Sequence, residues 1–459
     1  MAVKPKIKTL TNSSVDVVNA IRNSASIDYK NYVPIATSDP ESIREIGATI
    51  MDMPQLQNEF LSALVNRIGR VIVTSKMFSN PLAMFKKGIL EYGEVVEDIF
   101  VTLAKPFTFD PDVAETEVFK KEIPDVKSAF YVMNYKKFYK ATVTTDMLRT
   151  AFLSWDGVID LIGRIVDQMY SAASYDEWLT TKYMLAQKLL RGEIYPVTIA
   201  VPSEQNAKTI GTSVRALSNE FEFPKTTYTR AGVLNKSDKV DQYLIMTSEF
   251  DAYIDVNLLS AAFNMDKAEF LGHRVMIDKF SLSDDETARL GVIFDGDPTY
   301  HEISSEENAL LAKVKAVLVD ADYFMIFDNN IKFTEIYNPQ GLYWNEFYHR
   351  WATFAVSPFA NAAALIPGNP TVTGVTVTPS TITMKNDAAN EQTVNLTASV
   401  ATVDFAPQTV TWTSDSEFAT VDKAGKVTIK AHTTASPIVI KATSTWDNKK
   451  SATCTITLA

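Results

Sequence analysis

Four histidines, one cysteine and a few groups of carboxylates are the residues of this chain that could do chemistry. His273, His301, His349 and His432 stand far apart, with no HExxH pair and no Cys/His spacing suited to zinc. Cys454 is the single cysteine, so an intrachain disulfide and a cysteine metal cluster are both excluded. Within the alternating run SATCTITLA it reads as a small buried strand residue. The stretch FDGDPTYHE, residues 294–302, carries Asp295, Asp297 and Glu302, which suit a hard cation, but Gly296 falls too early for a calcium loop and a solvated turn is the better reading. Asp284, Asp285 and Glu286 read as a charged surface loop. Lys86 and Lys87, ahead of Gly88, could meet a phosphate or an acidic neighbour, and in an acidic chain a protein contact is favoured. No GxSxG elbow, GxxxxGK[ST] loop or GxGxxG turn is present. No cofactor is expected, and no constellation supports an enzyme.

The elements that carry these residues are those of a large, mostly globular chain. Its 459 residues suffice for about three domains. The formal net charge is −11; from residue 371 onward seven lysines balance seven acidic residues with no arginine, so residues 1–370 carry all of it. An acidic body argues against a nucleic-acid groove, though FKKG at 85–88 and NYKKFYK at 134–140 are local basic spots. No run approaches a membrane span, and the cationic start lacks the apolar stretch of a secretory signal, so no membrane partner is expected.

Residues 1–50 read as a long arm with one short helix capped at Ser13 or Ser14. Leu56, Phe60, Leu64 and Ile68 then recur every four residues, predicting a helix that stops at Gly69 and feeds a strand at 71–74. Two strand-like runs in 76–140 flank an acidic stretch, a polar-faced ribbon that is marginal alone and needs something to lie on. Phe85, Lys86, Lys87, Tyr131, Tyr135 and Phe138, in and beside it, are the expected assembly contacts. From Thr145 to Arg191 the pattern is helical, with an apolar stripe of Leu148, Phe152, Trp155, Ile159, Ile162, Val166 and Met169 and a stop at Gly192. Residues 193–345 alternate strands and helices, with a turn expected at Asp328–Asn330 and surface loops at SLSDDETARL and DGDPTYHEISSEEN. After Pro367-Gly368-Asn369-Pro370 the last 89 residues hold 21 threonines in short alternating runs, the pattern of an antiparallel β-sandwich. The fold class is therefore α+β with an appended all-β module.

Several stretches resemble the major capsid proteins of small short-tailed bacteriophages with protein-primed linear genomes: VDVVNAIRNS with YVPIAT, NPLAMFKKG, TAFLSW, AFNMDKAEFLG and GLYWNEFYHRWATFAVSPFANAAA. They occur in order across most of 15–366. The tail, through VTGVTVTPSTITM, VTWTSDSEFATVDKAGKVT and IKATST, resembles a bacterial immunoglobulin-like domain of group two. The resemblance implies the Hong Kong-type capsid fold: an N-terminal arm and helix over 1–75, an extended loop over 76–140, and peripheral and axial domains over 141–366 with a spine helix at 145–191. Residues 371–459 would form the Ig-like module. It further implies a head protein that self-assembles, in hexamers and pentamers, around double-stranded DNA held by non-specific proximity. A scaffolding protein and a portal would be partners, assembly would take place in the host bacterial cytoplasm, and the module would face outward toward a host surface polymer. No residue matches the Lys–Asn crosslink of some capsids of this fold, so none is expected. A tail or cell-surface adhesin using the Ig-like module is the alternative.

Overall fold

A computed structural model describes residues 14–37, 40–60, 63, 78–90, 95–109, 119–152, 157–259 and 273–459. The chain divides into two compact units, each gathered from distant pieces. One comprises Met1–Glu94, Val132–Trp178 and Ile326–Phe354; the other comprises Val95–Tyr131, Leu179–Met325 and Ala355–Ala459.

In the first unit the N-terminal residues are more compact than the expected arm. Helices Ser14–Ser24, Ile27–Tyr32 and Pro40–Asp52 and a helical stretch over 54–60 follow one another. Val18 and Ile21, Ile46 and Ile50, and Leu56 and Phe60 recur at three- or four-residue spacing, so each helix has one apolar face. These faces converge with Tyr29 on Leu148 and Trp344. Arg22, in the last turn of the first helix, ties it to the end of the second by donating to the carbonyls of Val33 and Lys30 at 2.7 and 2.9 Å. The strand expected at 71–74 lies outside the described residues.

The same unit holds a four-stranded sheet in the order Lys86–Ile89, Phe324–Asn338, Tyr343–Val356, Tyr135–Thr144. Asp328–Asn330, expected as a turn, lies inside the second of these strands. The Asp328 carboxylate meets Arg350, and the Asn329 side-chain oxygen accepts from the Thr353 hydroxyl at 2.9 Å, so these acceptors are engaged across the sheet rather than by a local turn. The chain reverses instead after Asn338, whose side chain accepts from the Gln340 and Gly341 N–H groups. The helical segment after Thr144 consists of Thr145–Phe152 and Gly157–Leu190, the second about 51 Å long at ~1.5 Å per residue.

The second unit is built on a five-stranded sheet in the order Tyr195–Thr198, Ala362–Ile366, Ala316–Asp320, Gln242–Thr247, His273–Ile277. Helices Ala207–Phe221 and Ser248–Leu259 cover it through Ile210, Val214, Phe221, Phe250 and Ile254. Both expected surface loops contain helices, Asp284–Ile293 and Ser305–Leu311. Each opens on a capping box, Ser283 with Glu286 and Ser304 with Glu307, which satisfies N–H groups at the helix start. The ribbon belongs to this unit: Val96–Val101 pairs antiparallel with Val126–Tyr131.

Residues 371–459 form a sandwich. Thr381–Met384, Ser451–Leu458, Ile438–Ser444 and Val410–Ser414 make one sheet; Gln392–Asn395, Lys426–Ile429 and Ala419–Val421 make another; Thr371–Thr378 pairs with Thr397–Val403. Ile429, Ile438, Ile440, Cys454 and Ile456 fill the core, with Trp412 against it. Burial pushes the Cys454 thiol up from its usual range.

The module is fastened to the rest of its unit. The long helix ends in a Schellman motif, with the Glu193 N–H on the Lys188 carbonyl and the Gly192 N–H on that of Leu189. Gly192 has φ +63°, and a Cβ there would lie 2.7 Å from the Ala406 carbonyl oxygen. Gln408 donates 3.1 Å to the Leu190 carbonyl, satisfying an orphan acceptor of the helix end. Tyr195 meets Trp446 at 5.5 Å between ring centroids. Asp404 pairs with Lys313 at 2.6 Å and accepts the Asn369 N–H at 3.1 Å, so the Pro-Gly connection is bonded rather than loose. Burial alone would raise the Asp404 carboxyl, but Lys313 and the Asn369 N–H outweigh it and hold it below its usual range. A depressed carboxylate stabilises the fold above the unfolded pKa of about 4 and loses that contribution as pH falls through the folded value. Asp404→Asn should therefore cost about 1 kcal/mol at pH 7, discounted for the half-exposed lysine, and the gap to the parent should close below about pH 4. Urea unfolding at pH 3 and pH 7 checks this; an equal gap at both would contradict it.

Candidate functional site

The segment that leads into the ribbon is held by a buried group of charges. Asn80 turns the chain by accepting the Leu82 N–H at 2.8 Å, and its amide donates to Glu177 at 3.1 Å. Pro81 and a single 3-10 turn, Ala83–Phe85, bury Leu82 and Phe85 and deliver Lys86 to the edge of the four-stranded sheet. There Lys86 lies 3.1 Å from Glu177 and 2.9 Å from Asp328. Arg350, on the neighbouring strand, reaches the same two carboxylates at 2.6 and 2.8 Å. Two cations and two anions thus close a ring between the long helix and three strands. Burial by itself would push the Arg350 guanidinium down, but Asp328 and then Glu177 overcome this and raise it. Such a ring is costly to form but more costly to break, because the surviving charges stay buried.

A second buried chain lies on the inward face of the same sheet. Tyr135 and Tyr139 hydroxyls sit 2.9 Å apart, and Tyr139 donates to Asp176 at 2.7 Å. Burial, with Tyr135 and Asp176 nearby, drives the Tyr139 hydroxyl far above its ordinary range. Further along, Glu346 is buried with both carboxylate oxygens unpartnered. Burial, with a smaller push from Glu335, raises it to about 8.

The ribbon itself is pinned at its base. Asp98 accepts from the Tyr131 hydroxyl at 2.9 Å across the ribbon and from the Ser357 hydroxyl at 2.6 Å, while Phe100 stacks on Phe359 at 5.8 Å. Beyond this base its apolar side chains stand in solvent: Phe109 and Phe119 are each 90% exposed, and Leu103, Phe107 and Ile123 are exposed as well.

The six expected assembly contacts separate. Phe85 and Tyr135 are buried within the subunit, and Lys86 belongs to the charge ring. Tyr131 is half-buried against Asp98, whereas Lys87 and Phe138 are exposed. Of the helical stripe, Leu148 packs in the N-terminal core and Met169 beside Tyr348. Trp155, and the side chains of Phe152, Ile159, Ile162 and Val166, lie outside the described residues.

The carboxylates with apparent chemistry are engaged in structure. Asp297 takes the Thr299 N–H and hydroxyl at 2.8 and 2.7 Å. His301 meets Glu307, itself half of a capping box. Glu286 caps its helix and, with Asp278, receives the buried Lys182 ammonium at 2.9 and 3.0 Å. Among the described residues no group of three or more His, Cys, Asp or Glu side chains is disposed to hold a metal, and no helix is long and apolar enough to cross a membrane. What remains is two compact units, an exposed apolar ribbon and a C-terminal sandwich.

Comparison with known proteins accounts for that combination. The family model for phi29-like phage major capsid proteins matches residues 18–366. The chain belongs to this family. The model for group 2 bacterial Ig-like domains matches residues 371–456. The major capsid protein of Bacillus phage B103 is 35% identical over 438 residues, covering 94% of this chain and 90% of that one. That of Bacillus phage PZA is 33% identical, covering 87% and 82%. That of Streptococcus phage Cp-1 is 28% identical, covering 76% and 93%. In structure, the capsid of Staphylococcus phage Andhra superposes with a TM-score of 0.51 at 13% identity, over 65% of this chain and 86% of that one, a likeness of fold. The protein is a major capsid protein of a phage virion, its copies build the head, and it carries an Ig-like module.

The NPLAMFKKG stretch of this capsid protein is the one that enters the charge ring, so its signal in the sequence is structural. Glu177 and Arg350 carried no such signal, because their partners lie 91 and 173 residues away from Glu177. Glu177→Ala should lower unfolding stability by about 3–5 kcal/mol, since it leaves two cations buried with only Asp328. Denaturant titration of the purified subunit measures this, and a loss under about 1 kcal/mol would contradict the ring's importance. Glu346→Gln tests the orphan carboxyl. A raised carboxyl holds a proton that the unfolded chain releases, so the parent loses stability as pH climbs from about 4.5 to about 8. The Gln variant should match the parent near pH 4.5 and exceed it at pH 8.5; a parallel pH profile would show that Glu346 does not titrate this way.

Proposed function

We propose that this capsid protein acts purely as a structural subunit, without enzymatic activity, and that residues 95–131 form the arm by which each copy laps onto a neighbour in hexamers and pentamers. The observation that carries this reading is the ribbon's exposure: a pair of short strands bears large apolar side chains that its own subunit leaves in water, and among the described residues it is pinned through Asp98 and Phe100 near its base. A two-stranded ribbon of that kind is marginal alone and is finished by a partner surface. The partner is another copy, because a closed shell places identical subunits side by side. The division into an N-terminal segment, an extended loop, a body with the long helix and a C-terminal module follows from the same reading. A scaffolding protein and a portal guide closure during assembly in the host cytoplasm, and packaged double-stranded DNA contacts an acidic lining without sequence recognition. The Ig-like module faces outward, away from the DNA-filled interior, where many copies offer multivalent attachment to a surface polymer of the host.

Replacing residues 102–125 by a short turn should leave a folded, soluble subunit with unchanged circular dichroism and abolish closed shells in electron micrographs. Shells of normal size from that variant would refute the role assigned to the ribbon.

A further inference from the structure

One end of the Ig-like sandwich is occupied by its own subunit. Ala406 closes on Gly192, Gln408 bonds to Leu190, Asp404 pairs with Lys313, and Trp446 meets Tyr195. Val410–Ser414 runs away from that end, and the strand register carries the direction through the sheet: Ser414 lies opposite Ile440, Ile438 opposite Ile456, and Met384 opposite Leu458. The loops over 385–391, 415–418 and 430–437 therefore gather at the other end. They are tied to one another by main-chain bonds. The Lys430 N–H donates to the Phe418 carbonyl at 2.9 Å, that of His432 to Ala388 at 2.8 Å, and that of Asp387 to Thr433 at 3.1 Å. In Ig-like sandwiches the loops at an end are positioned by the rigid sheets, a design that suits them to binding.

This free end carries an aromatic ring with no part in folding. Two large apolar side chains of the module are exposed. Val403 adjoins the loop that meets the body, whereas Phe418 stands at the far end, 41% exposed and outside the core that its neighbour Ala419 helps to fill. The Lys430 ammonium lies 6.0 Å from the Phe418 ring centroid, leaving much of the ring open. Beside it the His432 Nδ1 is 3.1 Å from the Asp387 carboxylate, and both side chains are exposed. His432 and Asp387 have φ +58° and +49°, a conformation few non-glycine residues adopt, so the loops hold a specific shape here.

Size and charge select the occupant. One open ring and three loop tips fall far short of the ~1,000 Å² a stable protein contact buries. They fit a small unit repeated along a polymer. The three loops carry Lys385 and Lys430 against Asp387, Glu391, Asp415 and Glu417, a balance that disfavours a polyanion. Exposed carboxylates and the amides of Asn386 and Asn390 instead offer acceptors and donors to hydroxyl groups. An aromatic face beside such groups matches a sugar ring, which is apolar on its C–H face and hydroxylated around its edge.

We propose that the free end of the Ig-like module is a binding site for a neutral polysaccharide, with Phe418 as the stacking platform and the polar groups of Asp387, Glu417 and His432 bonding the sugar hydroxyls. This rests on the reading of the module as an outward, multivalent attachment domain and gives that reading a site and a ligand class. Each site takes only one or two sugar units, so useful attachment comes from many copies acting together.

The test applies full-length subunits and assembled shells to an array of neutral and anionic oligosaccharides. Shells should bind neutral members. Phe418→Ser should weaken that binding at least tenfold while leaving the melting temperature unchanged, because the ring lies outside the core. Thr411→Ala, on an exposed sheet face, should bind as the parent does. Binding that survives Phe418→Ser, binding confined to anionic members, or no binding by shells and free subunits alike overturns the proposal. Outward placement is read separately, with an antibody against residues 385–391. Free subunits that bind, alongside shells that neither bind nor take the antibody, uphold the site and refute the placement.

Discussion

The ring of Lys86, Glu177, Asp328 and Arg350 is the interaction on which the rest of the first unit depends. It ties the long helix to three strands of the sheet, one of them the segment that leads toward the ribbon. Apolar packing would tolerate small slips between these pieces. Four charges below the surface do not, because a displaced partner leaves an unpaired ion away from water. The ring therefore fixes how the long helix and these strands meet within their unit. An assembling shell needs that constraint, since a small angular error in one subunit is repeated around a closed ring of copies.

Much of the architecture was legible in the sequence because it rests on local period. The alternating threonine-rich tail, the ribbon strands and the long helix all follow from spacing and end signals, and Gly192 marks the helix end where a left-handed residue is required. The misreadings share one physical cause: polar residues whose demands are met far away or reciprocally. Asp328 and Asn329 look like turn formers until Arg350 and Thr353 are placed opposite them. Asp284–Glu286 looks like a solvated loop, although Ser283 three residues ahead of Glu286 is a capping box that the sequence displays openly. The N-terminal helices read as an arm because their core is completed by Trp344, nearly three hundred residues downstream. The basic, aromatic motif at 134–140 is visible in the sequence. Which of its side chains point outward depends on strand register, which composition does not contain.

Electrostatics divides the molecule's surfaces by task. The net negative charge of the body disfavours contact between copies unless a specific patch offsets it. The module adds no net charge, so its presence leaves that balance unchanged.

The bond from Gln408 to the Leu190 carbonyl spans 218 residues of chain. The five-stranded sheet has the same property, because Ala362–Ile366 inserts between the strands at Tyr195–Thr198 and Ala316–Asp320. During synthesis the ribosome must deliver residue 366 before that sheet can be whole, and residue 408 before the end of the long helix is finished. A nascent or prematurely terminated chain thus carries an open sheet and lacks the Gln408 donor to the Leu190 carbonyl. The complete fold, and with it the geometry a shell requires, arises only when nearly the whole polypeptide has been made, so chain order itself acts as a timer that separates translation from assembly.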